Sequence, residues 1–309
     1  MSTPLPYTPY STFLRRYFAE KVQKIPLQLG TTCPVRDGTL GKRGCAFCNG
    51  VSFVPAYYDR NDSIQMQLEK GKAFFSRKAC GMNSVAYLAY FQSGTSTYGD
   101  FTLFQKSCLE ALSVPAVRGI VVSTRPDCLL AEHLSFLAEL ALRCFVLVEI
   151  GVETFDDQVL ASIGRGHSSA VSEEALLRLA ERNIPSCVHL ILSLPGEKCD
   201  SVISSARRLA GLPVDVVKLH QLQIVKGSTF ARMYHAAPAA FHLYSCDRYV
   251  QDVATFLEYL PSNIALERFV SESPSSALLA PRWNVKPDVV QHRVVKELHQ
   301  RGTFQGCRV

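Results

Sequence analysis

Short runs rich in Val, Ile, Leu and Tyr alternate with amphipathic stretches through the middle of this chain, and nothing else in the sequence restricts its fold as much. Residues 27–30, 85–92, 119–123, 145–151, 186–193, 214–221 and 264–270 are the predicted strands. Most are apolar on both alternations, the pattern of parallel strands covered on both faces. Residues 63–79, 103–112, 129–143, 169–182 and 200–211 carry helical periodicity between them, with Asp62 or Ser63 and Ser169 as candidate caps. Strand–helix alternation at this spacing predicts successive βαβ units. About six such units favour a barrel or partial barrel over a doubly wound sheet, a choice that spacing alone does not decide. In barrels the chemistry gathers at the C-terminal ends of the strands.

Beyond Phe230 the pattern changes. Residues 241–260 read as a long helix, 264–283 as an irregular stretch rich in Ser and Pro, and 289–301 as a last amphipathic helix. No low-complexity linker intervenes. The division expected is therefore an N-terminal segment over 1–26, a core over 27–230 and an extension over 231–309 packed on that core.

The 309 residues are 47% hydrophobic and 19% charged, enough to bury a core without disulfides. The N-terminal stretch has no apolar segment after a basic start, and no run of about 18 uncharged apolar residues occurs. A cytoplasmic protein with no membrane span is expected. Net charge is +6 and unevenly placed: 1–43 carries seven Lys/Arg against two acids, and 282–309 six against two. Two basic ends suit a polyanion, although solvated surface gives the same pattern.

Of 11 cysteines, Cys80, Cys108, Cys128, Cys144, Cys187, Cys199, Cys246 and Cys307 have no ligand-spaced neighbour and read as ordinary thiols. Cys33, Cys45 and Cys48 differ. They form C-x11-C-x2-C in a loop with Gly at 38, 41, 44 and 50, directly after the first predicted strand. Glycines supply the positive φ angles of a loop that wraps around a centre. Thiolates are the usual ligands of iron–sulfur clusters, and a cluster held by three leaves one iron open. A structural zinc site wants four closed ligands, and no second Cys/His pair follows Cys45 and Cys48. On spacing alone, cluster, zinc and unrelated thiols all stay open.

The surrounding motifs narrow this. CPVRDGTLGKRGCAFCN, AYFQSGTSTY, STRPDC, EIGVET, IGRGH, HLILSLPGE and VKLHQLQIVKGS follow in order, with a weaker LLAPRW near the end. In this order they resemble the radical S-adenosylmethionine (SAM) superfamily, and within it the bacterial YhcC/YtqA-like branch, related to the catalytic subunit of eukaryotic Elongator. The resemblance implies an α/β fold, a partial (β/α)6 TIM-like barrel with a helical C-terminal extension. It implies a [4Fe–4S] cluster on Cys33, Cys45 and Cys48, with S-adenosyl-L-methionine on the fourth iron. Reductive cleavage of that cofactor yields a 5′-deoxyadenosyl radical that takes a substrate hydrogen. An electron donor of flavodoxin or ferredoxin type follows as a partner.

Strand-end residues take roles from the resemblance or from their own chemistry, some with a plainer alternative. Gln92, Gly94 and Thr95 occupy the place that binds the methionine amino group, or else form a polar turn. Arg125 pairs a methionine or substrate carboxylate, or an internal Asp127. Glu149 and Glu153 are candidates for a ribose hydroxyl pair. Glu149 shares a face with Gly151, expected to be the barrel interior, where an unpaired carboxylate is costly. Arg165 and His167 lie in a loop shared with the branch. His189 precedes the Pro195–Gly196 turn, which approaches the adenine by resemblance, and is read as a cofactor contact. Lys218 and His220 share a face and are read as catalytic or substrate contacts; a Lys aimed into a barrel is rarely mere packing.

Three functions compete at this stage. The first is a radical enzyme on tRNA, acting on the C5 side chain of a wobble uridine. No acetyltransferase-like stretch occurs in the 309 residues, so a partner enzyme is expected to complete that reaction. The second is a radical enzyme on a small metabolite or tetrapyrrole, as in oxygen-independent coproporphyrinogen oxidases. The third is a non-enzymatic cluster or zinc protein that binds RNA.

Overall fold

The computed structural model describes residues 4–50, 54–76, 85–92, 94–271 and 273–309. Cys80, Ser93 and the last three residues of the predicted 63–79 helix lie outside them. Seven parallel strands form one sheet: β1 (Lys21–Leu27), β2 (Val85–Phe91), β3 (Val117–Thr124), β4 (Phe145–Glu153), β5 (Ser186–Leu192), β6 (Val216–Gln221) and β8 (Ala265–Arg268). Spatial order follows chain order, so each crossover returns on the same side and the sheet curls into a half-barrel. Helices α2 (Ile64–Ser76), α3 (Phe101–Ser113), α4 (Ala131–Ala141), α5 (Asp157–Ser162), α6 (Ser169–Ala180) and α7 (Ser201–Ala210) supply the crossovers. A small antiparallel pair joins β7 (Ile224–Val225) and β9 (Leu278–Ala280), with α8 (Thr229–Ala236) between them in sequence. α1 (Tyr10–Leu14) opens the chain, and α9 (Cys246–Glu258) and α10 (Pro287–Arg301) pack together near its end.

The period-two alternation sorts each strand's side chains. Ile25, Phe91, Val122, Val148, Ile150, Leu190 and Leu219 face outward into the main core beneath the helices. Leu88, Val121, Phe145, Leu147, Cys187 and Val216 face inward, where Phe13 and Phe18 close the N-terminal end of the barrel. Above that apolar floor the inward positions become polar: Glu149 on β4, His189 on β5, Lys218 and His220 on β6. The layered filling of a barrel thus passes from packing to chemistry along each strand.

Two elements differ from expectation. The first strand is Lys21–Leu27, not 27–30: it contains Pro26 and three polar residues, a composition tolerated because β1 is a sheet edge. It begins inside the segment read as N-terminal. The strand predicted over 264–270 is present as β8, shorter at both ends, and completes the sheet beside β6. The expected helix over 241–260 starts at Cys246, where the Ser245 hydroxyl accepts from Arg248 N. No helix among the described residues is long and apolar enough to cross a membrane.

Candidate active site

One cavity opens at the C-terminal ends of the strands. It is lined by Cys33, Cys45, Cys48, Gln92, Gly94, Thr95, Arg125, Glu153, His189, Lys218 and His220, among others. Of the residues expected from the sequence to touch cluster, cofactor or substrate, Glu149 is off this wall, as is the Pro195–Gly196 turn. Alternation on the strands and Gly-rich turns after them deliver these side chains from separate segments to one place.

The cysteine loop is docked on the barrel by the backbone of Ala46, next to Cys45. Ala46 N donates to Ile163 O at 2.8 Å, and Phe230 N donates to Ala46 O at 2.8 Å. Ala46 packs with Leu160, Ile163, Ile191 and Phe230 beneath it. The Arg36 guanidinium donates to Cys48 O at 2.7 Å and fills the space beside Gly44 and Gly50. All three thiols are free; Cys45 is buried and the other two half-buried. Two N–H groups already point at sulfur: Arg165 Nη1 to Cys45 Sγ at 3.4 Å and Gly50 N to Cys48 Sγ at 3.3 Å. Such donors suit sulfur in its thiolate form.

Two buried arginines stand behind the loop. Arg125 holds Asp127 through Nε at 2.9 Å and Nη2 at 2.8 Å, and Nη2 also reaches Arg165 O at 2.6 Å. The internal Arg–Asp pair is therefore present, yet Arg125 Nη1 is buried without a partner. Arg165 donates to Gly151 O, lies 3.5 Å from Glu153 Oε1, and has an unpartnered buried Nε. Burial opposes its charge, but Cys45 and then Glu153 more than offset that and raise its pKa. The sequence assigns Arg165 no definite role, since its adjacency to Cys45 and Glu153 exists only in three dimensions.

Gly151 makes room for this arrangement. A Cβ there would stand 2.7 Å from Arg165 Nη2 and 2.8 Å from Glu153 Oε1. The atoms met are side-chain ends rather than backbone, so Gly151→Ala is expected to cost about 1 kcal/mol of stability, the low end for overpacking. A lower urea midpoint with an unchanged m-value is the readout. Gly94 is required for a different reason: its φ is +70°, and a Cβ would meet Thr31 O at 2.8 Å, where β2 ends against the cysteine loop.

Beneath the cavity lies an ionic layer that the sequence only half revealed. Glu149 is 0% exposed, and both carboxylate oxygens are engaged. Oε1 accepts from Lys218 Nζ at 2.6 Å and Lys24 Nζ at 2.8 Å; Oε2 accepts from Tyr90 OH at 2.6 Å and meets His189 Nε2 at 2.9 Å. Glu267 on β8 pairs with Lys24 at 2.8 Å and Lys218 at 3.2 Å, lacing the two sheet edges across the open side of the half-barrel. Burial on its own would raise the Glu149 carboxyl, but Lys218, Lys24 and His189 together hold it well below its ordinary value. Tyr90 stays protonated, raised first by burial and then by the Glu149 charge.

Glu149 thus has no free edge for a ribose, and the expectation that it contacts a ligand is corrected: its four partners use it inside the barrel. Lys218 is likewise drawn into the ionic layer and reaches the cavity only at its base. Lys24, Tyr90 and Glu267 were missed. The first lies on the misplaced β1, and a Tyr inside a strand reads as core. His220 is neutral because burial, then His189 and Arg268, push its pKa well down; its Nε2 is buried without a partner. The His189 and His220 rings lie 5.4 Å apart.

Among the described residues, one set of three offers ligand atoms mutually within 4.8 Å: Glu149, Cys187 and His189. It is a poor cation site, since two lysines already claim Glu149 and burial pushes the Cys187 thiol well up. Cys33, Cys45 and Cys48 are not such a set. Bonds of about 2.3 Å to one zinc would bring sulfurs within roughly 4 Å of each other. The N–H donors to these thiols and the unpartnered arginine atoms behind them fit a multi-iron cluster with an anionic ligand beside it.

Comparison with known proteins agrees with this geometry. The Radical SAM superfamily model matches residues 38–209, and the Radical SAM C-terminal domain matches 214–300. YtqA of Bacillus subtilis is 32% identical over 312 residues, covering 99% of this chain and 95% of YtqA. YhcC of Escherichia coli is 33% identical over 271 residues, covering 87% and 85%. The solved structure of archaeal Methanocaldococcus infernus Elp3 superposes at TM-score 0.71 with 16% identity, over 93% of this chain and 65% of that one. At that identity the likeness establishes the curled half-barrel, as the sequence implied, and the chain spans just under two thirds of the Elp3 chain. With a family model over more than half its length and near full-length relatives above 30% identity, the chain belongs to the radical SAM superfamily, whose enzymes use a [4Fe–4S] cluster and S-adenosylmethionine.

Proposed function

We propose that this chain is a radical SAM enzyme acting on tRNA, at the C5 side chain of a wobble uridine. The resemblance to the Elongator-related branch supports the substrate class, and the rim of the cavity is the observation that carries it. Lys42 and Arg43 are exposed in the same loop as Cys45. Lys226 is exposed where its carbonyl accepts from Asn49 Nδ2 at 3.0 Å, next to Cys48. Arg268 is exposed on the opposite wall. A cationic rim around a polar cavity suits a nucleotide that enters from a polyanion.

Cys33, Cys45 and Cys48 would hold the cluster, with Arg165 Nη1 and Gly50 N donating to sulfur. Arg125 Nη1 and Arg165 Nε, both lacking acceptors, would bind the carboxylate of S-adenosylmethionine, and Gln92, Gly94 and Thr95 its amino group. Glu153 would take the ribose hydroxyls. His189 and His220 would face the substrate. Cluster and cofactor, when bound, supply the one-electron chemistry that generates a hydrogen-abstracting radical. The ionic layer and the apolar floor below it close the cavity from beneath and keep water from that radical.

Anaerobically reconstituted protein given dithionite, S-adenosylmethionine and tRNA from a deletion strain is expected to form 5′-deoxyadenosine together with an altered uridine nucleoside. No stimulation by tRNA and no nucleoside change in the deletion strain would refute the substrate. A triple Lys42→Ala, Arg43→Ala, Lys226→Ala variant is expected to weaken tRNA binding. The slope of log affinity against log salt should flatten by about one for each phosphate that is no longer neutralised.

A further inference from the structure

The cations of the cavity are nearly all accounted for. Arg125 is paired with Asp127, Arg165 with Cys45 and Glu153, and Lys218 with Glu149 and Glu267. Arg36 is spent on Cys48 O within the cysteine loop. Arg268 remains: among the described residues its guanidinium has no hydrogen bond and no acid partner. It sits on β8, in register with Lys218 on β6, across the half-barrel from the cysteine loop.

Arg268 also stands where two cavities meet. The second cavity runs along β8 past Tyr7, Tyr10, Glu267 and Gln291, and shares Gln92, Arg268 and Ser273 with the first. The segment after Arg268 is held by amides of the β6 end. Gln221 exchanges bonds with Ser271 at 3.0 and 2.8 Å, and Gln223 binds Ser271 O at 3.3 Å and the Ser273 hydroxyl at 2.7 Å. The arginine therefore rises from a fixed base. Beside it His220 presents a buried nitrogen with no partner, on a ring near enough to feel the Arg268 charge. A guanidinium with no counter-ion and a neutral imidazole in the tautomer that carries its proton on the unused nitrogen form a receptor for an oxyanion.

We propose that Arg268 binds an oxyanion of the substrate, a carboxylate or a phosphate, at the junction of the two cavities. The assignment rests on reading the first cavity as the substrate chamber, and it adds that the reacting molecule carries negative charge next to the reacting carbon or on the nucleotide itself. The reacting part lies toward the cysteines, the remainder along the second cavity, and the oxyanion between them.

Calorimetric titration of full-length, anaerobically reconstituted protein with S-adenosylmethionine present tests this. The probes are uridine, uridine 5′-monophosphate, 5-carboxymethyluridine and inorganic phosphate, against wild type, Arg268→Gln and Arg268→Lys, with circular dichroism to verify folding. At least one anionic uridine is expected to bind wild type about 10- to 100-fold more tightly than uridine, the range for a charge-assisted bond. Arg268→Gln is expected to abolish that preference, and Arg268→Lys to retain part of it. Preference for the monophosphate identifies a phosphate, and preference for the carboxymethyl compound a carboxylate. An anion preference that survives Arg268→Gln, or none in wild type, overturns the proposal. Uridines that bind all three proteins equally leave the uridine reading standing without Arg268. Phosphate bound through Arg268 with no gain from the nucleoside upholds Arg268 and defeats the uridine reading.

Discussion

Protein carrying Cys33→Ala, Cys45→Ala and Cys48→Ala together is expected to purify without iron or sulfide and to form no 5′-deoxyadenosine from S-adenosylmethionine and dithionite. Wild type reconstituted in parallel should hold close to four irons and four sulfides and produce it. The variant is expected to fold, because the loop is docked through Ala46 and the backbone rather than through the thiols. Circular dichroism and an unchanged urea transition of the metal-free proteins separate loss of the cluster from loss of the fold. Zinc near one per chain in wild type, with no product, would show that the cysteines are structural.

The second large effect is on stability. Glu149→Ala leaves Lys24 and Lys218 buried with Glu267 as their only carboxylate, and Tyr90 OH without its acceptor. Breaking a buried pair by removing one partner typically costs about 3–5 kcal/mol, a large part of the roughly 5–15 kcal/mol that holds a domain folded. Replacing Glu149 and Lys218 together, by Gln and Met, is expected to cost less than Glu149→Ala alone, because no lone charge is left inside. Chemical denaturation of the three proteins measures both values. A Glu149→Ala variant as stable as wild type would show that the layer is hydrated rather than buried.

The same pair predicts a pH dependence. Glu149 and Glu267 are held below their ordinary value of 4.5 in the folded protein, Glu149 well below. The stability they contribute is therefore fully present above pH 4.5 and is lost as pH falls through their lower folded values. Wild type should lose stability steeply on that acid side, and Glu149→Gln should show a shallower acid limb. Equal slopes for the two would place the acid sensitivity elsewhere.

Particular residues show what local pattern can reveal. Lys218 and His220 were legible as sharing an inward face, because strand alternation needs only the strand. The cysteine loop was legible from its glycines and spacing. Glu149 was correctly placed inside the barrel, but its partners come from β1, β2, β5 and β6, and no local pattern reports a meeting across four strands. β1 was misplaced because Pro26 and its polar residues suggest a poor strand. Only its edge position, a property of the assembled sheet, makes it acceptable. Arg125 shows the limit from the other side: the internal pair with Asp127 is present, and Nη1 is left buried without a partner.

What the sequence alone determined is what depends on neighbours along the chain: the alternation of strands and helices, which faces are apolar, the glycine-rich turn carrying three thiols, and the order of motifs that gives the family. What only the tertiary structure decided is which charges neutralise one another. Coulomb and hydrogen-bond energies depend on distance and burial, and folding brings Lys24, Glu149, Lys218 and Glu267 together from positions far apart in the chain. That closure turned Glu149 from a candidate ligand contact into part of the barrel's interior, and among the described residues it left Arg268 as the cavity's cation without a partner.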